Sequence, residues 1–136
     1  MAFVVDCSVS LAWYLEDETS AYADTVLARL EFERAFVPTL WTLEVANGLR
    51  NAVRSRRLSL RGLERAVELV LKTPVNLVHF EVTDVVTRIL NLASEQELAA
   101  YDAAYLHLAI REGLPLATLD TDLRNAAARL GVELVA

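Results

Sequence analysis

The sequence predicts a single α/β domain with a central parallel sheet of four or five strands and helices on both faces. Three observations carry this reading. Short apolar runs rich in β-branched side chains recur along the chain, as in strands buried on both faces. These runs alternate with amphipathic helical stretches, and often two helices separate successive runs, which suits right-handed parallel crossovers. Two of the runs end in an aspartate, at the end of the strand where ligands gather in open α/β sheets. The 136 residues fit one domain spanning 1–136.

The first strand is Ala2-Phe3-Val4-Val5, closed by Asp6. Ser8 to Leu15 can form a short helix with Val9, Ala12 and Trp13 on one face, and Glu16-Asp17-Glu18 breaks it. Thr19 or Ser20 can cap a second helix reaching about Phe32, with Tyr22, Val26, Leu27 and Leu30 on its buried stripe. Ala35-Phe36-Val37 reads as a brief strand ended by Pro38.

A long helix follows from Thr39 to about Arg56, with Glu44 in its first turns, where the helix dipole favours a carboxylate. Ser59 caps the next helix, Leu60 to Lys72, with Leu63, Val67, Leu69 and Val70 expected inward, and Thr73-Pro74 stops it. Val75 to Phe80 alternates in part and reads as a strand near the sheet edge. Thr83 or Asp84 opens a helix that runs to Glu97.

Ala100 to Glu112 is a further helix with Asp102 in its first turn, ended by Gly113 as a left-handed cap. The run Leu114 to Leu119 is a strand closed by Asp120, followed by a helix from Thr121 to about Leu130 and a terminal strand from Val132 to Val135.

Composition narrows the function. Acids outnumber bases 19 to 13, a net charge of -6, which disfavours general nucleic-acid binding through phosphates. The bases are unevenly placed. Arg50, Arg54, Arg56, Arg57, Arg61 and Arg65 fall in one stretch that reads either as a solvated surface or as a ridge for RNA phosphates or an acidic partner segment. Cys7 is the sole cysteine, so no internal disulfide forms. With no signal-like N-terminus and no apolar stretch of the ~20 residues that a membrane span needs, a soluble cytoplasmic protein is expected.

Asp6, Glu44, Asp102 and Asp120 share one property. Each falls at the carboxyl end of a strand or at the start of a helix on that side, so parallel topology puts all four on one rim. Asp6 and Asp120 could simply cap the helices that follow them. Four acids without adjacent bases point instead to a cation site, because close carboxylates repel unless a cation or a proton intervenes. Without a Cys or His cluster the donors are hard oxygens, which favours Mg²⁺ or Mn²⁺ over zinc. In this reading Asp6 and Asp102 bind metal most directly, Asp120 binds metal or its water, and Glu44 binds a second ion or orients an attacking water. Asp122, Thr118, Ser8 and Asn47 could support these acids or satisfy local backbone. His79 and His107 sit among apolar residues and read as core or edge side chains. Cys7 lacks a paired base, and Trp13 and Trp41 read as packing residues.

The stretches around the four acids resemble the motifs of PIN domains. These are Val4-Val5-Asp6-Cys7-Ser8, Pro38 to Leu49 around Glu44, Ala100 to Ala109 around Asp102, and Leu116-Ala117-Thr118-Leu119-Asp120. They fall in the family's order and cover essentially the whole chain, which is similar to the compact VapC-type toxins of toxin–antitoxin pairs. The resemblance implies a Mg²⁺- or Mn²⁺-dependent endoribonuclease with Asp6, Glu44, Asp102 and Asp120 as acidic metal ligands. It implies homodimers, and inhibition by a small cognate antitoxin whose C-terminal segment lies over the helices near the site. Cys7 departs mildly from the small residues usual there.

Other readings are weaker. An aspartyl phosphatase would want a second Asp where Ser8 stands, and a receiver domain wants a Lys at a strand end, whereas Lys72 ends a helix. A non-catalytic RNA- or protein-binding module on the same fold remains the alternative.

Overall fold

The computed structural model describes residues 1–136. Four strands form the sheet: β1 Ala2–Val5, β2 Arg34–Pro38, β3 Val75–Val78 and β4 Leu116–Ala117. The helices are α1 Cys7–Tyr14, α2 Ala21–Arg29, α3 Leu40–Arg54, α4 Leu60–Lys72, α5 Val82–Asp84, α6 Leu90–Gln96, α7 Ala100–Glu112 and α8 Thr121–Arg129. No helix is long and apolar enough to cross a membrane.

The strand order is β3-β2-β1-β4, and every pairing is parallel. From β1 the chain winds outward through β2 to β3, then crosses back to lay β4 on the other side of β1. The winding direction therefore reverses at β1 and β4, and a crevice opens beyond their carboxyl ends. Phe3, Val4 and Val5 of β1 are fully buried, as their unbroken apolar run predicts. β3 is an edge strand, as its partial alternation predicts.

The terminal strand shrinks. Leu134 makes one isolated parallel bridge to Leu116, held by the Leu116 N–H to the Glu133 carbonyl and the Val135 N–H to the Leu116 carbonyl, each at 2.9 Å. β4 is only two residues long, so a fifth strand has little ladder to join.

Local signals account for most boundaries. Ser20 Oγ accepts from the Ala23 N–H and Ser59 Oγ from the Gly62 N–H, capping α2 and α4. Gly113 ends α7 at φ 65°, a left-handed conformation that a residue without Cβ adopts freely. The stretch predicted as one helix from Thr83 or Asp84 to Glu97 contains a π-helical turn, Val85–Ile89, between α5 and α6. Val67 and Leu69 of α4 and Leu27 of α2, predicted inward, are exposed instead.

Candidate active site

Asp6, Glu44, Asp102 and Asp120 line one cleft of about 390 Å³, together with Ser8, Asn47 and Tyr105 among others. Four chain segments deliver the four acids. Asp6 follows β1 and is the N-cap of α1, its Oδ1 accepting from the Val9 N–H at 3.3 Å. Asp120 follows β4 and is the N-cap of α8, its Oδ1 accepting from the N–H groups of Asp122 at 2.8 Å and Leu123 at 3.2 Å. Glu44 lies in the second turn of α3, and Asp102 in the first turn of α7. The cap and the cleft are thus one arrangement, because a helix that starts on this rim turns its capping acid toward the crevice.

Asp6 is the most enclosed of the four, at 4% exposure. Ser8 Oγ donates to its Oδ1, and Thr118 Oγ1 donates to its Oδ2 at 2.6 Å. Burial pushes its pKa up to about 6, against these hydrogen bonds, with the Asp102 charge adding a smaller upward push. Burial also raises Glu44. The Tyr105 hydroxyl opposes that rise, and the charges of Asp102 and Asp6 add to it. Asp102 is raised by burial and then by Asp120 and Asp122. Asp122 is exposed and acts on the cleft through charge.

The hydroxyl that orients Glu44 is Tyr105, whose Oη donates to Glu44 Oε1 at 2.6 Å. Asn47, one turn beyond Glu44 in the sequence, is the residue expected to support it. Asn47 lines the cleft, but Tyr105 comes from a distant helix. A signal was available: Tyr105 stands three residues after Asp102, on the same face of α7. Gly48, one turn beyond Glu44, lets α3 sit tightly on α1, since a Cβ there would lie 2.6 Å from Leu11 Cδ1.

The donor chemistry of the cleft fits a hard divalent cation. No Lys, Arg or His lines it, so nothing within the chain neutralises these carboxylates. Cys7 borders the cleft, but burial and the neighbouring carboxylates push its thiol far up, so it stays a protonated bystander. The acids flank a shared space, and no three of them close on a single point as a finished ion cage would.

The remaining candidates are dispersed. Arg57 reaches back to the turn after α1, its Nη1 lying 2.8 Å from Asp17 and 3.3 Å from Glu18, and Glu18 itself borders the cleft. Arg50 and Arg54 line a separate apolar groove of about 420 Å³ between α3 and α4, floored by Val45, Leu49, Val53 and Leu63. Arg56 is exposed in the turn after α3, at φ 61°. His107 is buried and bonded to Asp84, and His79 is exposed beside β3, so neither joins the acids. Trp41 is buried with its Nε1 on Ser10, and Trp13 donates to the Ala23 carbonyl, as packing residues do.

A parallel sheet with an acid cleft at its switch point is the arrangement that the sequence motifs lead one to expect, and residues 3–129 match the PIN domain. The chain belongs to the PIN-domain family. More particularly, it is 35% identical over 121 residues to Ribonuclease VapC9 of Mycobacterium tuberculosis, covering 89% of this chain and 86% of that protein. The solved structure of PAE2754 from Pyrobaculum aerophilum superposes with a TM-score of 0.69 at 26% identity, covering 93% of this chain and 87% of that one. A chain of the toxin-antitoxin complex from Klebsiella pneumoniae has the same fold, with a TM-score of 0.61 at 19% identity over 88% of this chain and 87% of that one.

Proposed function

We propose that this chain is a Mg²⁺- or Mn²⁺-dependent endoribonuclease acting as the toxin of a toxin–antitoxin pair in the cytoplasm. The observation that carries the reading is the meeting of Asp6, Glu44, Asp102 and Asp120 in one cleft that no basic side chain neutralises. Similarity to a protein named a ribonuclease supports RNA as the substrate.

Asp6 and Asp102 would make the most direct contacts with a cation, Asp120 would hold it or a water on it, and Glu44 would hold a second ion or orient the attacking water. When bound, the cation supplies positive charge that acidifies water and offsets the charge building on a phosphoryl group. The chain's own residues set the stage. Ser8 and Thr118 fix both oxygens of Asp6, and Tyr105 fixes one oxygen of Glu44. Burial raises the pKa of Glu44 above the ordinary carboxylate value, which makes it a better proton acceptor than a solvated glutamate.

The groove between α3 and α4 supports the antitoxin as partner. Its apolar floor and its two arginines, Arg50 and Arg54, match an amphipathic segment bearing acids. Val82, Val86 and Leu90 recur at helical spacing and stand exposed, which supports a homodimer.

The test is direct. Purified protein free of antitoxin is incubated with a pool of structured RNAs in Mg²⁺ or Mn²⁺, in EDTA, and beside Asp6→Asn. Discrete fragments that vanish in EDTA and in the variant are expected. Absence of cleavage with RNA or acidic-protein binding retained would make the chain a non-catalytic binding module.

A further inference from the structure

We propose that Tyr105 is a positioning residue of the acid cleft, whose hydroxyl pins Glu44 Oε1 and leaves Oε2 as the oxygen offered to a divalent cation. The inference rests on the cation reading of the cleft given above.

Tyr105 is the largest fully buried side chain in the protein, at 1% exposure. Filling that volume needs only an aromatic ring, and Phe would do so without a polar atom to satisfy. The hydroxyl is therefore surplus to packing. It is directed at a carboxylate 61 residues earlier in the chain, at 2.6 Å, the length of a charge-assisted O–H···O⁻ bond.

The placement of this bond gives it a specific consequence. Asp102 and Tyr105 lie one turn apart on α7, while Glu44 rides on α3. Tyr105 thus ties the helix that carries Asp102 to the helix that carries Glu44. A glutamate has several rotatable bonds, and Glu44 is flanked by no cation that would hold it in the cleft. A buried donor does that work before any ion arrives, so less ordering is left for ion binding. Partners that orient metal-binding carboxylates in this way commonly govern affinity about 10- to 100-fold.

The experiment measures Mn²⁺ binding by electron paramagnetic resonance and calorimetry, without RNA, for wild type, Tyr105→Phe, Glu44→Gln and the double variant. Tyr105→Phe is expected to weaken Mn²⁺ binding at least about tenfold while melting like wild type in EDTA. In the Glu44→Gln background the same change is expected to add nothing, because its route of action is gone. Wild-type affinity in Tyr105→Phe, or an equal loss with and without Glu44, overturns the proposal. So does a Tyr105→Phe chain that melts well below wild type in EDTA, which would make the hydroxyl structural. A wild type that takes up no Mn²⁺ overturns the cation reading as well, so the two failures are told apart.

Discussion

Thr118 and Asp6, 112 residues apart in sequence, meet at 2.6 Å across the carboxyl ends of β4 and β1. The same Thr118 Oγ1 accepts from the Asp120 N–H at 3.0 Å. Ser8 mirrors it, donating to Asp6 Oδ1 and accepting from the Leu119 N–H at 3.0 Å. Two hydroxyls thus stitch the switch point together and fix both oxygens of one carboxylate. Arg124 backs the arrangement, its Nη1 donating to the Thr118 carbonyl at 2.7 Å.

Replacing Thr118 by Val keeps the shape and removes the donor. A buried carboxylate that loses such a partner costs on the order of 1–3 kcal/mol. The loss should be larger above pH 6 than below it, because the ionised form of Asp6 depends most on the hydroxyl. Urea unfolding in EDTA at two pH values measures this. An equal loss at both would mean that the hydroxyl serves the Asp120 backbone and not the carboxylate.

Stability should also fall as pH rises across the acid range. The pKa of Asp6 is raised from 3.8 to about 6 on folding, so between those values the folded chain holds a proton that the unfolded chain has lost. The stabilisation is full below pH 3.8 and is lost as pH rises through about 6. It amounts to about 3 kcal/mol by proton linkage. Glu44 and Asp102 are raised as well and act with the same sign. Denaturation in EDTA across this window should show the decline, and Asp6→Asn should flatten much of it. A wild-type profile that rises with pH here would refute the assignment.

The sheet and the four acids were legible because both depend on local pattern. A β-branched run closed by Asp reports a buried strand and its end, and parallel topology gathers such ends on one rim. Three things were hidden, for different reasons. Tyr105 has the burial pattern of a core residue, and although it shares a face with Asp102, its partner Glu44 lies on a helix 61 residues away. Val67 and Leu69 have the spacing of a buried stripe, yet they are exposed on α4. Amphipathic periodicity reports that a face is apolar and says nothing of what covers it. The arginine stretch does not act as one surface, because charge density along the sequence carries no pairing. Arg57 is held by Asp17 and Glu18, while Arg50 and Arg54 face a groove.

On the proposed function, Asp102→Asn should reduce RNA cleavage by more than about 100-fold, since the loss of an oxygen that would hold the cation should exceed the usual effect of losing its outer partners. Its melting temperature in EDTA should hold or rise. Asp102 is raised by burial and by the charges of Asp120 and Asp122, so removing its charge relieves both strains. A clear drop in melting temperature would instead mark the carboxylate as structural.

The arginines should separate by function. Arg50→Ala with Arg54→Ala should weaken binding of an acidic partner or of RNA and lower its salt slope by about two. Arg57→Ala should leave that slope nearly unchanged, because its guanidinium is committed to Asp17 and Glu18. Fluorescence anisotropy over a salt series resolves the two. Equal slopes for all variants would make the whole stretch solvated surface.

His107 and Asp84 provide the contrast to the cleft. His107 Nε2 lies 2.9 Å from Asp84 Oδ2, with the Phe80 ring packed edgewise on the imidazole. Arg111 stacks on Phe80 and approaches Asp84 at 3.8 Å, so the carboxylate has protein partners on more than one side. This is a satisfied polar cluster that anchors α7 to α5, just before the π-helical segment. Asp84→Ala strands a buried ring nitrogen and should cost on the order of 1–3 kcal/mol, while cleavage by the folded fraction stays at the wild-type rate. Calorimetric melting beside an RNA cleavage assay checks both halves. If Asp84→Ala abolished cleavage at full stability, the acid chemistry would have to extend beyond the cleft, and the division between structural and chemical carboxylates drawn from burial and pairing would fail.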